Sequence, residues 1–399
     1  MLSTRVKFLK ESATLKINAM VNRLKSEGKD IYNLTAGEPD FAPPEEAKQA
    51  VINAVAKNLS KYTPTPGIAE LRELIAKKTN VQQPALASHP WKPADVVVTN
   101  GGKQAIFDAI LCLIDRGDEV IIPAPYWLSY PEMVKAAEGV TKVIQTDFSQ
   151  HYKMTPKQLN AAITSKTKML IINSPSNPTG ALYSREEQKA IGEVLEAHPH
   201  VWILSDEIYD RIEFKVGSWS SFLQVNPSLR ERTITVNGLS KSGAMTGWRI
   251  GWSVTPDSLT PALIALQGHS TSGICSLSQA AAVAALKAPS ELFETQRLQY
   301  LHRRNLALEV LRKSAKIKVV EPEGAFYLFV DVQDALEENQ NADGFAEKLL
   351  QEIQVAVVSG VDFGAPTCLR ISFATDEKTL LEACSRLVEF CNRTTERLR

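Results

Sequence analysis

Lys241 lies in Val236-Asn-Gly-Leu-Ser-Lys-Ser-Gly-Ala-Met-Thr-Gly-Trp-Arg249, framed by small and hydroxyl residues. Such a lysine has room at its amine for an aldehyde, the setting of a Schiff base beside a phosphate. Ser240 can donate to a phosphate oxygen, and the Arg249 guanidinium can grip the same group with two parallel bonds. Asp206-Glu-Ile-Tyr209 sets a carboxylate three residues before a phenol. That carboxylate could hold a proton on a pyridine nitrogen, which strengthens such a ring as an electron sink, while Tyr209 could hydrogen-bond a phenolic oxygen beside an imine. Asn173-Ser-Pro-Ser-Asn177-Pro-Thr-Gly is a proline-bounded loop that aims Asn177, and Pro125-Tyr-Trp127 offers a flat face for a planar ring. Asn100-Gly101-Gly102-Lys103 opens a helix whose free N–H groups suit a phosphate. Each stretch alone is an ordinary turn or surface loop. Their weight comes from recurring at the ends of successive apolar runs.

Those runs set the elements that must position the chemistry. Asp95-Val-Val-Val-Thr, Glu119-Val-Ile-Ile-Pro, Thr141-Lys-Val-Ile-Gln, Lys168-Met-Leu-Ile-Ile-Asn, Val201-Trp-Ile-Leu-Ser-Asp and Thr233-Ile-Thr-Val-Asn read as strands, most of them separated by helical stretches. Strands apolar on both faces and alternating with helices predict a largely parallel sheet covered on both sides, an α/β fold. Ligands of such sheets lie beyond the carboxyl ends of the strands, where these polar stretches fall. A helix over 13–28, a strand over 31–37 and a helix opening at Pro43-Pro-Glu-Glu precede them. After about residue 290 a long charged helix leads into Ile317-Lys-Val-Val, Ala325-Phe-Tyr-Leu-Phe-Val, Val355-Ala-Val-Val and Cys368-Leu-Arg-Ile-Ser-Phe, then a terminal helix from Asp376. This is an α+β pattern. The expected division is a large domain over 47–290 and a smaller one from 1–46 and 291–399.

Composition narrows the function classes. With 399 residues, two lobes are expected. Lys plus Arg and Asp plus Glu number 45 each, so no overall field favours nucleic acid or an anionic membrane. Five scattered cysteines without a Cys-x-x-Cys pair read as reduced thiols, and the six histidines form no metal-ligand pattern. No window has the apolar length of a membrane span, and the basic start lacks the apolar core of a secretory signal. A cytoplasmic protein is expected, with no metal.

With Pro125-Tyr-Trp-Leu-Ser-Tyr-Pro-Glu-Met133, Asn173-Ser-Pro-Ser-Asn-Pro-Thr-Gly180, Ser205-Asp-Glu-Ile-Tyr-Asp210 and Ser240-Lys-Ser-Gly-Ala-Met-Thr-Gly-Trp-Arg-Ile-Gly-Trp252 in this order, the chain resembles the class I aminotransferases of pyridoxal-phosphate fold type I. It is most similar to the bacterial aspartate aminotransferase branch. The resemblance implies pyridoxal 5'-phosphate on Lys241, which would also shuttle the substrate proton. Asp206 would pair with the ring nitrogen, Tyr209 and Asn177 with the phenolic oxygen, and Trp127 with the ring face. Gly101, Gly102, Ser240 and Arg249 would hold the phosphate, with Lys103 adding to its field and Tyr62 reaching it from a neighbouring subunit, hence a homodimer with shared sites. Arg370 would bind the substrate α-carboxylate, with Asn177, Trp127 and the Gly37 backbone beside it. Lys103 and Thr14 would meet a distal carboxylate.

The reaction implied is ping-pong transfer from L-aspartate to 2-oxoglutarate, on small amino and keto acids. An aromatic or prephenate aminotransferase, or a β-eliminating lyase, is the alternative on the same scaffold. A cofactor-sensing regulator is disfavoured, since the resemblance begins within the first few residues and leaves no DNA-binding segment. Ser359 departs from a usual Val-Val-Pro-Gly, and Gly273-Ile-Cys275 from a usual Cys-Pro turn.

Overall fold

The computed structural model describes residues 3–7, 9 and 13–393. Its strands in chain order are β1 (Tyr32–Asn33), β2 (Val96–Asn100), β3 (Glu119–Pro123), β4 (Val140–Ile144), β5 (Thr167–Asn173), β6 (Trp202–Asp206), β7 (Thr233–Gly238) and β8 (Ile250–Val254). The later ones are β9 (Lys318–Val319), β10 (Tyr327–Asp331), β11 (Val355–Ala356), β12 (Val358–Ser359) and β13 (Cys368–Ser372).

Strands β2 to β8 form one sheet in the order β2-β8-β7-β6-β5-β3-β4. Its β4, β3, β5, β6 and β7 run parallel, and β8 pairs antiparallel with both β7 and β2. The alternation of strand side chains decides which core each residue enters. Val96, Val98, Ile121, Leu170, Ile172 and Ile203 pack on one face. Val97, Val120, Ile122, Met169, Ile171 and Leu204 pack on the other. Both faces are covered, as expected of strands without a polar side. The sheet is therefore mixed and mostly parallel, as fold type I requires.

One strand is not announced by the sequence. Ile250-Gly-Trp-Ser-Val carries a glycine and a serine and reads as the tail of the lysine segment, yet it is fully buried between β2 and β7. Gly251 is what lets it fit: a Cβ there would run into the backbone of Gly101 and Gly102. Conversely, the expected strand over 31–37 is only two residues long. Val355-Ala-Val-Val, one run in the sequence, serves two sheets. β11 pairs parallel with β1, whereas β12 joins the antiparallel sheet β12-β13-β10-β9.

That smaller sheet packs against the long helix Ser290–Leu311 and the terminal helix Glu377–Arg393 in a core of Tyr300, Leu311, Phe326, Leu328, Leu369 and Leu387. Leu34 from the N-terminal segment belongs to this core, as do Cys384 and Cys391. Val21 and Leu24, on helix Ala13–Ser26, pack with Ile31, Leu350 and Ala356. Among the described residues no helix is long and apolar enough to cross a membrane.

Candidate active site

A cavity of about 780 Å³ opens between the carboxyl ends of the large sheet and the smaller sheet. From the large sheet it is lined by Gly102, Lys103, Trp127, Asn177, Asp206 and Tyr209, and by Ser240, Lys241 and Arg249 from the loop after β7. Gly37 and Arg370 line it from the other side. Eleven of the fourteen residues singled out from the sequence thus share one cavity, and Gly101 lies directly behind it. Tyr62 does not: it is 94% exposed and stands outside the cavity. Thr14 falls on the first turn of helix Ala13–Ser26, and its side chain lies outside the described residues.

Sheet register explains the grouping. Asn173 and Asp206 are partners at the ends of β5 and β6, and Asn173 Nδ2 donates to the Asp206 carbonyl at 2.9 Å. Asn173 Oδ1 accepts the Asn177 N–H at 2.8 Å, fixing the proline-bounded loop to the strand end. Asp206 Oδ2 accepts the Tyr130 hydroxyl at 2.7 Å, and Oδ1 accepts the Ile208 N–H at 3.2 Å. Burial pushes this carboxyl up to about 6, against the pull of those two bonds and of Lys241. The Tyr209 hydroxyl lies 3.0 Å from that of Tyr327, and burial holds both phenols above their ordinary value.

Lys241 follows β7 by three residues, and its ammonium donates to the Gly37 carbonyl across the cavity. Burial lowers its pKa to about 8. Arg370 and Arg249 act in the same direction, and Glu38 and Asp206 oppose them. The lowered pKa gives this amine a far larger neutral fraction near neutrality than an ordinary lysine has, and the neutral form is a nucleophile and a base. Arg249 holds a left-handed backbone conformation (φ 55°) and donates to the Thr246 carbonyl at 2.7 Å and the Asn100 carbonyl at 2.9 Å. Its guanidinium lies so close over Gly101 (φ 82°) that any side chain there would collide with it. The Lys103 ammonium sits 4.9 Å from the Trp127 ring centre, and its pKa is lowered by burial and then by Arg249.

Arg370 comes from β13, opposite Phe329 of β10 and Val358 of β12. It is buried, stacks 4.5 Å from the Tyr327 ring centre, and donates to Asn177 Oδ1 at 3.2 Å and the Thr35 carbonyl at 2.9 Å. Its Nε has no hydrogen-bond partner. A buried cation with an unmade bond is suited to a small anion. Among the described residues no cluster of His, Cys, Asp and Glu could hold a metal.

Sequence reasoning missed Tyr130, Tyr327 and Thr35 as site residues. Tyr327 stands in the run Phe326-Tyr-Leu-Phe329, which reads as core, and only its hydroxyl distinguishes it. Of the two departures from the family pattern, Ser359 Oγ accepts the Val361 N–H at 3.2 Å, outside the cavity lining. The 273–275 turn packs on the segment bearing Tyr62, with Thr63 Oγ1 donating to the Ile274 carbonyl at 3.4 Å.

Comparison with known proteins agrees with this geometry. Residues 29–387 match the family "Aminotransferase class I and II". The aspartate/prephenate aminotransferase of Cereibacter sphaeroides is 41% identical over 397 residues, covering 98% of each chain. The aspartate aminotransferase of Geobacillus stearothermophilus is 43% identical over 391 residues, again covering 98% of each. Among solved structures, the aspartate aminotransferase of Rhizobium meliloti superposes with a TM-score of 0.94 at 38% identity, covering 98% of this chain and 99% of the other. That of Thermus thermophilus, solved with maleate, gives 0.92 at 39% identity with the same coverage. The chain belongs to the class I and II aminotransferases, enzymes that work on amino and keto acids with pyridoxal 5'-phosphate.

Proposed function

We propose that this cavity transfers the amino group of L-aspartate to 2-oxoglutarate, giving oxaloacetate and L-glutamate. The observation that carries the reading is the buried Lys241 amine, with its pKa near 8, sharing one cavity with the buried, under-bonded Arg370 guanidinium. Support for an acidic substrate comes from the relatives named for aspartate and from the Thermus thermophilus structure solved with maleate, a dicarboxylate.

The residues present fit the cofactor. Its phosphate would lie at the start of helix Gly102–Leu113, held by the Gly102 N–H over the bare backbone of Gly101, by Ser240 and by Arg249. Asp206 would face the ring nitrogen, Tyr209 and Asn177 the phenolic oxygen, and Trp127 the ring face. Bound there, pyridoxal phosphate supplies an aldehyde that binds amines covalently and a ring that takes up the electron pair released at Cα.

The protein's own part is positioning and proton transfer. Arg370, held by Asn177 and Thr35, would clamp the α-carboxylate and so fix the Cα–H bond relative to Lys241. The neutral Lys241 amine would accept the Cα proton as a general base and, once protonated, serve as the general acid that gives it back. Asp206, its orientation held by Tyr130, would be held as an anion by a cationic ring nitrogen when the cofactor is bound.

Tyr62, fully outside its own chain's cavity, fits a homodimer in which it reaches the partner's site. We also assign the protein to the cytoplasm, and divide it into a large domain (47–290) and a small one (1–46 and 291–399). Lys103 and Thr14 are assigned to the distal carboxylate. Prephenate is a second substrate reading, favoured by the Cereibacter sphaeroides relative that carries both names. The visible spectrum of the holoenzyme tests the substrate. L-Aspartate alone should remove the bound cofactor's visible band, and 2-oxoglutarate should restore it. A band indifferent to aspartate but removed by an aromatic amino acid would overturn the aspartate assignment.

A further inference from the structure

Tyr62 stands almost wholly in solvent, yet the chain that follows it is tied down at Thr63, Thr65, Pro66 and Ile68. Two glutamines do most of this, Gln267 on helix Thr260–Ser270 and Gln279 on helix Ser276–Lys287, and both are fully buried. Gln279 Oε1 accepts the Ile68 N–H at 2.8 Å, and its Nε2 donates to Thr63 Oγ1 at 2.8 Å and to the Ile274 carbonyl at 3.1 Å. Gln267 Nε2 donates to the Thr65 carbonyl at 2.7 Å and to the Val98 carbonyl at 2.9 Å. Carbonyl oxygens only accept, so the NH₂ end of Gln267 must be the one that faces them. Its Oε1 is buried and has no hydrogen-bond partner.

Val98 belongs to β2, the edge strand of the large sheet, whose outer N–H and carbonyl groups have no neighbouring strand. The Tyr62 segment takes their place: the Val98 N–H donates to the Pro66 carbonyl at 3.0 Å, and Gln267 bridges the Val98 carbonyl to Thr65. Gly67 (φ 102°) permits the approach, since a Cβ there would run into the Val98 side chain. Two residues along the same strand, the Asn100 carbonyl holds Arg249. One stretch of strand is thus the reference for two phosphate contacts, Arg249 in its own cavity and Tyr62 outside it. Burying an amide with one end unbonded costs on the order of 1–3 kcal/mol. A loop fixed at that cost, and ending in an exposed phenol, fits a tyrosine presented to another molecule.

We propose that Gln267 is a positioning residue for the cofactor site of the partner subunit: by fixing Thr65 to β2 it sets where the Tyr62 hydroxyl meets the partner's cofactor phosphate. The inference rests on the homodimer reading and adds the group through which one chain sets the cofactor affinity of the other. Gln267 does not line its own chain's cavity. Removing its donors therefore weakens a site to which it does not belong. An effect carried along β2 to Arg249 would instead fall on its own site, and the two routes give opposite results in mixed dimers.

The test uses Gln267→Met, which fills similar space without donors, and reads the pyridoxal phosphate dissociation constant from the visible band as cofactor is titrated into the full-length protein. Tyr62→Phe should raise that constant about tenfold, the scale of one hydrogen bond to a charged group, and Gln267→Met should reproduce most of the rise. The double variant should bind no more weakly than Tyr62→Phe alone, because Gln267 acts through that hydroxyl. Dimers mixed from Gln267→Met and Arg249→Ala chains, isolated by two affinity tags, give the decisive result. Half of their sites draw Arg249 from the Gln267→Met chain and Tyr62 from the chain with Gln267 intact, so half should bind with wild-type affinity. Such a site also shows that the substituted chain folds. Should Gln267→Met not fold, Gln267→Glu, which sets a carboxylate against the same two carbonyls, takes its place. Mixed dimers without a wild-type site, additive losses in the double variant, or wild-type affinity in the Gln267 variant would overturn the proposal, and the homodimer reading would stand as long as Tyr62→Phe binds weakly. Wild-type affinity in Tyr62→Phe would overturn both.

Discussion

The two walls of the cavity are built by different means. The wall from the large sheet is a set of strand ends, each followed at once by its functional loop: Asn173 to Asn177 after β5, Asp206 to Tyr209 after β6, Ser240 to Arg249 after β7. It carries three cations, Lys103, Lys241 and Arg249, beside the carboxylate of Asp206. The opposite wall is assembled from far apart in the chain. Arg370 reaches Thr35 across 335 residues, and Tyr209 reaches Tyr327 across 118. Its one buried cation is surrounded by carbonyls, amides and aromatic rings rather than by carboxylates. The contrast suits a division of labour in which the first wall holds the cofactor and moves the proton, and the second recognises the amino acid.

The largest effect expected on that division comes from Lys241→Ala. Removing the only amine proposed to carry both the covalent link and the proton should lower turnover at least about 10³-fold. Aspartate binding, measured by spectral titration of the variant with added cofactor, should persist because Arg370 is untouched. A variant that kept a tenth of wild-type turnover would take the chemistry away from the first wall.

A smaller effect separates two adjacent carboxyls. Asp206 faces the cavity, whereas Glu207 turns into the core, where Oε1 accepts from Ser205 at 2.9 Å, Ser221 at 2.8 Å and the Phe222 N–H at 3.2 Å. Burial raises the Glu207 pKa from its ordinary 4.5 to about 7. The folded protein thus keeps a proton that the unfolded chain releases, so this group's contribution to stability falls as pH rises from 4.5 towards 7 and is flat above. Glu207→Gln keeps an acceptor oxygen and does not ionise. Thermal melting of the variant against wild type should show the variant gaining roughly 2–4 °C as pH rises through that window. A constant difference at every pH would mean that Glu207 is charged throughout, as a site residue would be.

How much of this was legible follows the same contrast. On the first wall each functional residue sits within a few positions of the strand that aims it, so a local motif is enough, and Lys241, Asp206, Tyr209, Asn177 and Arg249 are all found in one cavity. On the second wall, position depends on antiparallel register between β10, β12 and β13 and on a two-residue strand, β1, that only its β11 partner defines. Arg370 was recognisable through its resemblance to the family. Thr35 and Tyr327 were not, because a buried threonine and an aromatic in an apolar run carry no sign of what they touch. Strand β8 escapes the sequence pattern for a related reason: Gly251 is there to admit the neighbouring backbone, and a glycine in a short run reads as a break.

Paired titrations of Arg249→Ala and Arg370→Ala test most directly whether the first wall anchors the cofactor and the second clamps the substrate α-carboxylate. For Arg249→Ala the cofactor dissociation constant should rise, with the half-saturating aspartate concentration of the reloaded enzyme nearly unchanged. For Arg370→Ala the pattern should invert, cofactor affinity staying close to wild type while half-saturating aspartate rises about 100-fold, the scale of a lost bidentate carboxylate contact. Both variants losing cofactor and substrate together would contradict the account.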